Sequence, residues 1–222
     1  MYISTENYTR ICEEVGKRNA QLVAVSKTKP VEAIQELYGL GHRDFGENYV
    51  QELVEKQARL PQDIRWHFIG HLQTNKVKYI APFVHLVHGI DSLKLLKEVN
   101  KQGQKFNRTI PVLLQVHIAR EETKFGFDER ELEQVLSNEP ALQQMANIQI
   151  SGLMGMASFS DDTALVRQEF KNLKRIFDRC HQTGVAHTDF RILSMGMSGD
   201  YHIALEEGST MVRIGSLLFG SR

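Results

Sequence analysis

The chain has 222 residues, a length that suits one domain or at most two. Lys plus Arg and Asp plus Glu both number 27, so the zero net charge argues against a nucleic acid or an anionic membrane as a partner. The apolar stretches are shorter than the ~20 residues of a spanning helix, and no secretory signal is seen. Cys12 and Cys180 both fall in helical patterns, so we expect no disulfide framework. Together these observations predict a soluble cytoplasmic protein.

Short apolar runs alternate with helical stripes along the whole sequence. The runs predict strands at 22–26, 42–45, 65–69, 84–88, 111–117, 148–154, 191–193 and 211–214. The stripes predict helices at 8–15, 31–40, 49–60, 72–80, 93–99, 132–136, 166–180 and 201–206. Asp91 is the predicted N-cap of the fifth helix, and Asp128 with Glu131 predicts a capping box at the sixth.

About eight strands separated by helices favour a parallel sheet that closes into a barrel. We therefore predict a single α/β domain over residues 1–222, a (β/α)8 barrel of the TIM type. An open, doubly wound sheet is the structural alternative.

A lysine follows the first predicted strand at the point where its apolar run stops. Lys27 lies there, and Pro30 turns the polypeptide soon after it. Burial beside low-dielectric walls favours the neutral amine, which attacks aldehydes and forms Schiff bases. The plain alternative is a surface lysine at a strand end. Lys29 has the same strand parity as Lys27, but it precedes Pro30 and lies beyond the strand.

Two segments after the last two strands have the composition of phosphate-binding loops. The segment 194–199 holds two glycines and two serines just before a short helix, and Gly215-Ser216 ends the eighth strand. Glycines let backbone N–H groups approach an anion, and many barrels bind phosphate at this place. Such turns more often only reverse the polypeptide, so their position in the barrel is what favours binding.

Arg213 is flanked by apolar residues of the last predicted strand, which predicts a buried guanidinium. A buried arginine needs a partner, which is either a structural carboxylate or a ring nitrogen of a cofactor. Because a guanidinium only donates hydrogen bonds, it disfavours protonation of a ring nitrogen that faces it.

The histidines do not predict a metal site. His85 and His88 lie three apart on a predicted strand and should face opposite ways, and Gly70 separates His67 from His71. The sequence also lacks the phosphate-binding loops of nucleotide-binding folds and a G-x-S-x-G nucleophile elbow. We expect neither a metal nor a catalytic residue of these classes.

Five motifs, in order, resemble the pyridoxal phosphate homeostasis protein family. They are VSKTKP at 25–30, FGENYVQE at 45–52, WHFIGHLQTNK at 66–76, LSMGMS at 193–198 and VRIG at 212–215. The resemblance implies a barrel related to the N-terminal domain of alanine racemase, without that enzyme's second, β-rich domain. It also implies a Schiff base between Lys27 and pyridoxal 5′-phosphate (PLP).

The same resemblance implies roles for further residues around the cofactor. Arg213 would face the pyridine nitrogen, Asn48 would lie near the ring, and His67 and Lys124 would line the site. The residues that it places around the phosphate are Ser194, Gly196, Ser198, Gly215 and Ser216.

The family is thought to carry or deliver PLP with little turnover, and the residues agree with that role. Two-base racemisation needs an acid/base group on each face of the substrate carbon, and without a second domain we expect one of these groups to be missing. An arginine at the ring nitrogen also weakens carbanion stabilisation. We therefore expect a monomeric PLP carrier with apo forms of PLP-dependent enzymes as further partners. The alternatives are a PLP-dependent racemase or lyase and a sugar-phosphate enzyme in which Lys27 is only a charge.

Overall fold

The structure is a computed structural model that describes residues 2–120, 125–181 and 186–220. Its eight strands are all parallel to their neighbours and close into a barrel in the order β1 to β8. The strands are β1 (Gln21–Val25), β2 (Asp44–Glu47), β3 (Arg65–Phe68), β4 (Leu86–Ile90), β5 (Ile110–Gln115), β6 (Ile148–Met154), β7 (Thr188–Ser194) and β8 (Met211–Ile214). The predicted (β/α)8 barrel is confirmed, and the open sheet is wrong.

Helices follow the strands and pack around the barrel. They are α1 (Thr5–Gly16), α2 (Val31–Gly39), α3 (Val50–Arg59), α4 (Val77–Ile80), α5 (Leu93–Lys105), α6 (Glu129–Ser137), α7 (Glu139–Gln143), α8 (Thr163–His181), α9 (Tyr201–Glu206) and α10 (Ser216–Phe219). No helix of the described residues is both long and apolar enough to cross a membrane.

Several boundaries differ from the sequence prediction for local reasons. The fifth helix is capped by Ser92, whose Oγ accepts from Leu95 N, because the carboxylate of Asp91 instead contacts His71 Nδ1 at 3.0 Å. The fourth predicted helix is shorter than expected, since a 3₁₀ turn over Thr74–Lys76 precedes α4. The predicted capping box of Asp128 and Glu131 is confirmed.

Two sets of side chains fill the molecule. Most buried apolar residues lie between the barrel and its helices. A separate, smaller apolar cluster comes from strand positions of the opposite parity: Val23, Leu86, Leu113, Met154 and Met211. Opposite parity places this cluster inside the barrel, where several buried polar side chains accompany it.

Candidate functional site

A cavity of about 400 Å³ opens at the carboxyl ends of the strands. Side chains from the ends of β1, β2, β3 and β8 and from the loops after β6 and β7 meet there. The lining residues are Val25, Lys27, Thr28, Lys29, Asn48, Ile69, Met156, Phe159, Met197, Ser198, Gly199, Asp200, Arg213, Gly215, Ser216 and Gly220. This is the end of a parallel barrel at which enzymes of this fold place their active sites.

Lys27 reaches the cavity from an unusual backbone turn just after β1. Ser26 is fully buried, Lys27 is half-buried, and Thr28 has a φ of 64°. A β-branched residue rarely adopts positive φ, so surrounding contacts must hold this turn in place. Lys29, the rival lysine, donates from Nζ to the carbonyl oxygens of Phe219 (2.9 Å) and Gly220 (3.1 Å).

A buried ion pair between Lys56 and Glu47 stabilises this turn. Lys56 Nζ donates to Glu47 Oε1 at 2.8 Å, to Ser26 O at 2.7 Å and to Glu52 Oε1 at 2.7 Å. Ser26 Oγ also donates to Glu47 Oε1, and Thr28 N donates to Glu52 Oε1. Burial raises the pKa of Glu47 to about 7, although Lys56 acts in the opposite direction. The position of Lys27 therefore depends on charges that do not face the cavity.

Asn48 brings a buried polar atom without a partner to the cavity wall. Its Oδ1 is inaccessible to solvent and has no hydrogen-bond partner within the described parts of the chain. A buried acceptor left unpaired costs about 1–3 kcal/mol, so a ligand that donates a hydrogen bond here would recover that free energy.

Arg213 lies in the wall between the cavity and the barrel interior, and its side chain is buried. Nη1 donates to Ser194 Oγ at 2.6 Å, and Nη2 donates to the carbonyl oxygen of Gly155 at 3.1 Å. Burial lowers the pKa of Arg213 to about 10, which keeps the guanidinium charged at neutral pH. Both of these partners are neutral, so the structural carboxylate that the sequence left open is not among them.

The two predicted phosphate loops meet across the cavity. Gly215 N donates to Ser198 Oγ at 3.2 Å. Asp200 Oδ1 accepts from Met197 N at 2.6 Å, so one backbone donor of this loop is already paired with a carboxylate. Gly196 has a φ of 95°, and a Cβ atom there would lie 2.5 Å from Ala204 Cβ, so the loop needs glycine at this position.

Six of the nine predicted site residues line the cavity, namely Lys27, Asn48, Ser198, Arg213, Gly215 and Ser216. Ser194 and Gly196 do not line it, because Ser194 lies under Arg213 and Gly196 packs against α9. His67 does not line it either, because its ring lies inside the barrel, 3.0 Å from both Asp44 Oδ1 and His88 Nε2. Lys124 lies outside the described residues.

Sequence reasoning missed two groups of residues near the site. The Glu47–Lys56 pair was not predicted, because Glu47 was assigned only to a motif and position 56 only to a predicted helix. Asp44, His67 and His85 also come together, with potential metal-ligating atoms within 4.8 Å of one another. Only histidines close in sequence were paired in the prediction, whereas the barrel register brings together residues of β2, β3 and the position just before β4. Arg65 already places a cation on Asp44 through two hydrogen bonds.

Comparisons with known proteins agree with this geometry. The alanine racemase N-terminal domain family matches residues 4–222. The pyridoxal phosphate homeostasis protein of Aquifex aeolicus (strain VF5) is 40% identical over 223 residues, covering 98% of this chain and 94% of that protein.

Two solved structures of PipY from Synechococcus elongatus PCC7942 are also similar. PipY without PLP has a TM-score of 0.89 at 33% identity, covering 97% of this chain and 99% of that one. PipY with PLP bound has a TM-score of 0.82 at 34% identity, covering 95% and 100%.

Proposed function

This chain belongs to the pyridoxal phosphate homeostasis protein family, and from that premise we propose that it binds PLP at the barrel mouth, through a Schiff base with Lys27. The single observation that supports this most is the convergence of Lys27, Asn48 and Arg213 on one cavity. The cavity is large enough for a small cofactor, since ligand sites measure about 300–1,000 Å³.

The residues present fit this cofactor on four separate grounds. Lys27 offers an amine at a half-buried position. Asn48 Oδ1 is an acceptor in need of a donor, and the loops after β7 and β8 bring Ser198, Gly215 and Ser216 to the same wall. Arg213 offers a charged donor held from behind by Ser194. We propose Ser198, Gly215 and Ser216 for the phosphate, with Ser194 and Gly196 supporting them from outside the cavity.

When bound, PLP supplies an aldehyde for the lysine amine and an electron-accepting ring. The protein's own groups bind and orient this molecule rather than move protons. Arg213 can only donate hydrogen bonds, so it disfavours a proton on a ring nitrogen that faces it. The other titratable groups of the described lining are held by the backbone, Lys29 by the carbonyls of Phe219 and Gly220 and Asp200 by Met197 N. No tyrosine or histidine is among the described lining residues. These features favour holding and delivering PLP over turnover.

We further propose apo forms of PLP-dependent enzymes as the recipients, in the cytoplasm. Cys12 and Cys180 do not form a disulfide, which agrees with a reducing compartment. The monomeric state expected from the sequence stays a prediction.

Absorption spectroscopy with PLP tests the proposal. We expect a chromophore in the wild type that borohydride bleaches irreversibly, no such chromophore in Lys27→Ala, and a normal one in Lys29→Ala. Loss in Lys29→Ala with retention in Lys27→Ala would contradict the assignment.

A second assay separates a carrier from a racemase or lyase. We expect amino acids to be turned over no faster than by free PLP, whereas an apo-enzyme should gain activity from the loaded protein. Steady turnover above the free-cofactor rate would support the enzyme and refute the carrier.

A further inference from the structure

A row of buried polar side chains runs through the barrel from the amino ends of the strands to their carboxyl ends. This interior row consists of Asp44 at the start of β2, His67 in β3, His88 in β4 and Ser194 at the end of β7. His67 Nε2 lies 3.0 Å from Asp44 Oδ1, His67 Nδ1 lies 3.0 Å from His88 Nε2, and His88 Nδ1 lies 3.1 Å from Ser194 Oγ. The row ends at Arg213, which donates to Ser194 Oγ.

Both ends of the row are fixed by charge. The Arg213 guanidinium has no acceptor atom, so it can only donate to Ser194. At the other end, burial would raise the pKa of Asp44, but Arg65 and His67 lower it well below its ordinary value. Asp44 is therefore an ionised carboxylate, which can only accept. Arg65 holds it with two hydrogen bonds, Nε to Oδ1 at 2.8 Å and Nη2 to Oδ2 at 2.5 Å.

These two ends determine where each proton of the row lies. Ser194 Oγ has two side-chain contacts among the described residues, Arg213 Nη1 and His88 Nδ1, and only the second can accept. The hydroxyl proton is therefore donated to His88 Nδ1. His88 then carries its proton on Nε2 and donates it to His67 Nδ1. His67 in turn carries its proton on Nε2 and donates it to Asp44, so every hydrogen bond points the same way.

The neutral state of His88 agrees with this direction. Burial holds the pKa of His88 well below its ordinary value, and the charge of Arg213 acts in the same sense. A neutral imidazole has one donor and one acceptor, so fixing its contact with Ser194 also fixes its contact with His67. A reversed row would leave the Ser194 hydroxyl proton without an acceptor in a fully buried place, which is costly.

We propose that Asp44, His67 and His88 are positioning residues for Arg213. By taking the hydroxyl proton, the row turns a lone pair of Ser194 Oγ toward Arg213 Nη1. The guanidinium is then held between Ser194 and the carbonyl oxygen of Gly155, so that its remaining donors are fixed at the cavity. The effect on PLP rests on the proposed function, whereas the proton positions do not.

Nuclear magnetic resonance of the cofactor-free protein tests the row directly. Long-range nitrogen–proton correlations distinguish which ring nitrogen carries the proton. We expect neutral rings with the proton on Nε2 in both His67 and His88. A proton on Nδ1 of His88, or a doubly protonated His67, would overturn the proposal, and this measurement needs no variant to fold.

Asp44→Leu removes the acceptor at the far end and replaces it with a larger apolar side chain. Without this acceptor one proton stays unpaired in either direction of the row, at His67 Nε2 or at Ser194 Oγ. We therefore expect part of the protein to carry the ring protons on Nδ1, the side-chain nitrogen signals of Arg213 to shift, and PLP binding to weaken about tenfold. His85→Leu is the matched control, because the ring centroids of His85 and His67 lie 5.4 Å apart but His85 does not belong to the row.

The outcomes separate the row from the proposed function. Arg213 signals that do not change in Asp44→Leu would overturn the positioning role. In contrast, a wild type with the expected protons that does not bind PLP would support the row and refute the proposed function.

Discussion

The buried pair of Glu47 and Lys56 makes a quantitative prediction about stability. Glu47 is fully buried and Lys56 is only 5% exposed, so water does not solvate either charge and each depends on the other for compensation. Lys56→Met keeps the unbranched stem and removes the ammonium. Removing one partner of a buried ion pair costs about 3–5 kcal/mol where the remaining group must stay charged, and less where that group can take up a proton.

The loss should depend on pH, with a sign that follows from Glu47. Its pKa rises from 4.5 in the unfolded protein to about 7 in the folded one, so folding takes up a proton between these values. The free energy of unfolding therefore falls as pH rises, by about 1.36 kcal/mol per unit. Without Lys56 the pKa rises further, so Glu47 stays protonated at pH 8 at a cost of about 5 kcal/mol, of which the wild type already bears about 3.4 kcal/mol. At pH 5 the cost is about 1 kcal/mol in both proteins.

Urea unfolding at a series of pH values measures this dependence. We expect Lys56→Met to lose about 1.4 kcal/mol more at pH 8 than at pH 5, because Glu47 is already protonated in the folded wild type at pH 5. Glu47→Gln combined with Lys56→Met should recover most of the loss and remove the pH dependence. The control Lys171→Met, at an exposed position of α8, should change stability by less than about 0.5 kcal/mol. An equal loss at both pH values, or no recovery in the double variant, would refute the reasoning.

Two further variants test the loop after β7 and the cavity wall. In thermal melts, Gly196→Ala should lower the free energy of unfolding by about 1–3 kcal/mol, because φ is 95° and the new Cβ would collide with Ala204. The control Gly199→Ala, where no heavy atom lies within 4 Å of the new Cβ, should cost far less. Asn48→Leu should leave stability unchanged or raised, since the lost Oδ1 has no described partner, while PLP titration should show about tenfold weaker binding. Unchanged binding would remove Asn48 from the proposed site.

Local patterns predicted the fold where neighbours in sequence decide the structure. The bounds of β6, α9 and β8 match the prediction, because each is a short pattern bordered by clear turn residues. The predicted N-cap of α5 was wrong, because Asp91 and Ser92 are both good capping residues and only the contact of Asp91 with His71 decides between them.

The candidate site was predictable only where its residues belong to motifs at strand ends. Lys27 and Arg213 lie on the cavity because strand parity and position place them there. Ser194 and His67 point into the barrel as Arg213 does, but they lie deeper in the interior, and the motif alone does not show this depth. The contact of His67 with Asp44 and His88 depends on the register of three strands, which no local pattern encodes.

Peptide mass mapping of the borohydride-reduced protein tests the central claim most directly. The protein is incubated with PLP, reduced, digested and searched for lysines that carry the pyridoxyl group. We expect one stoichiometric adduct, on Lys27. An adduct on Lys29 or spread over surface lysines, or no adduct at all, would contradict a Schiff-base site at the end of β1.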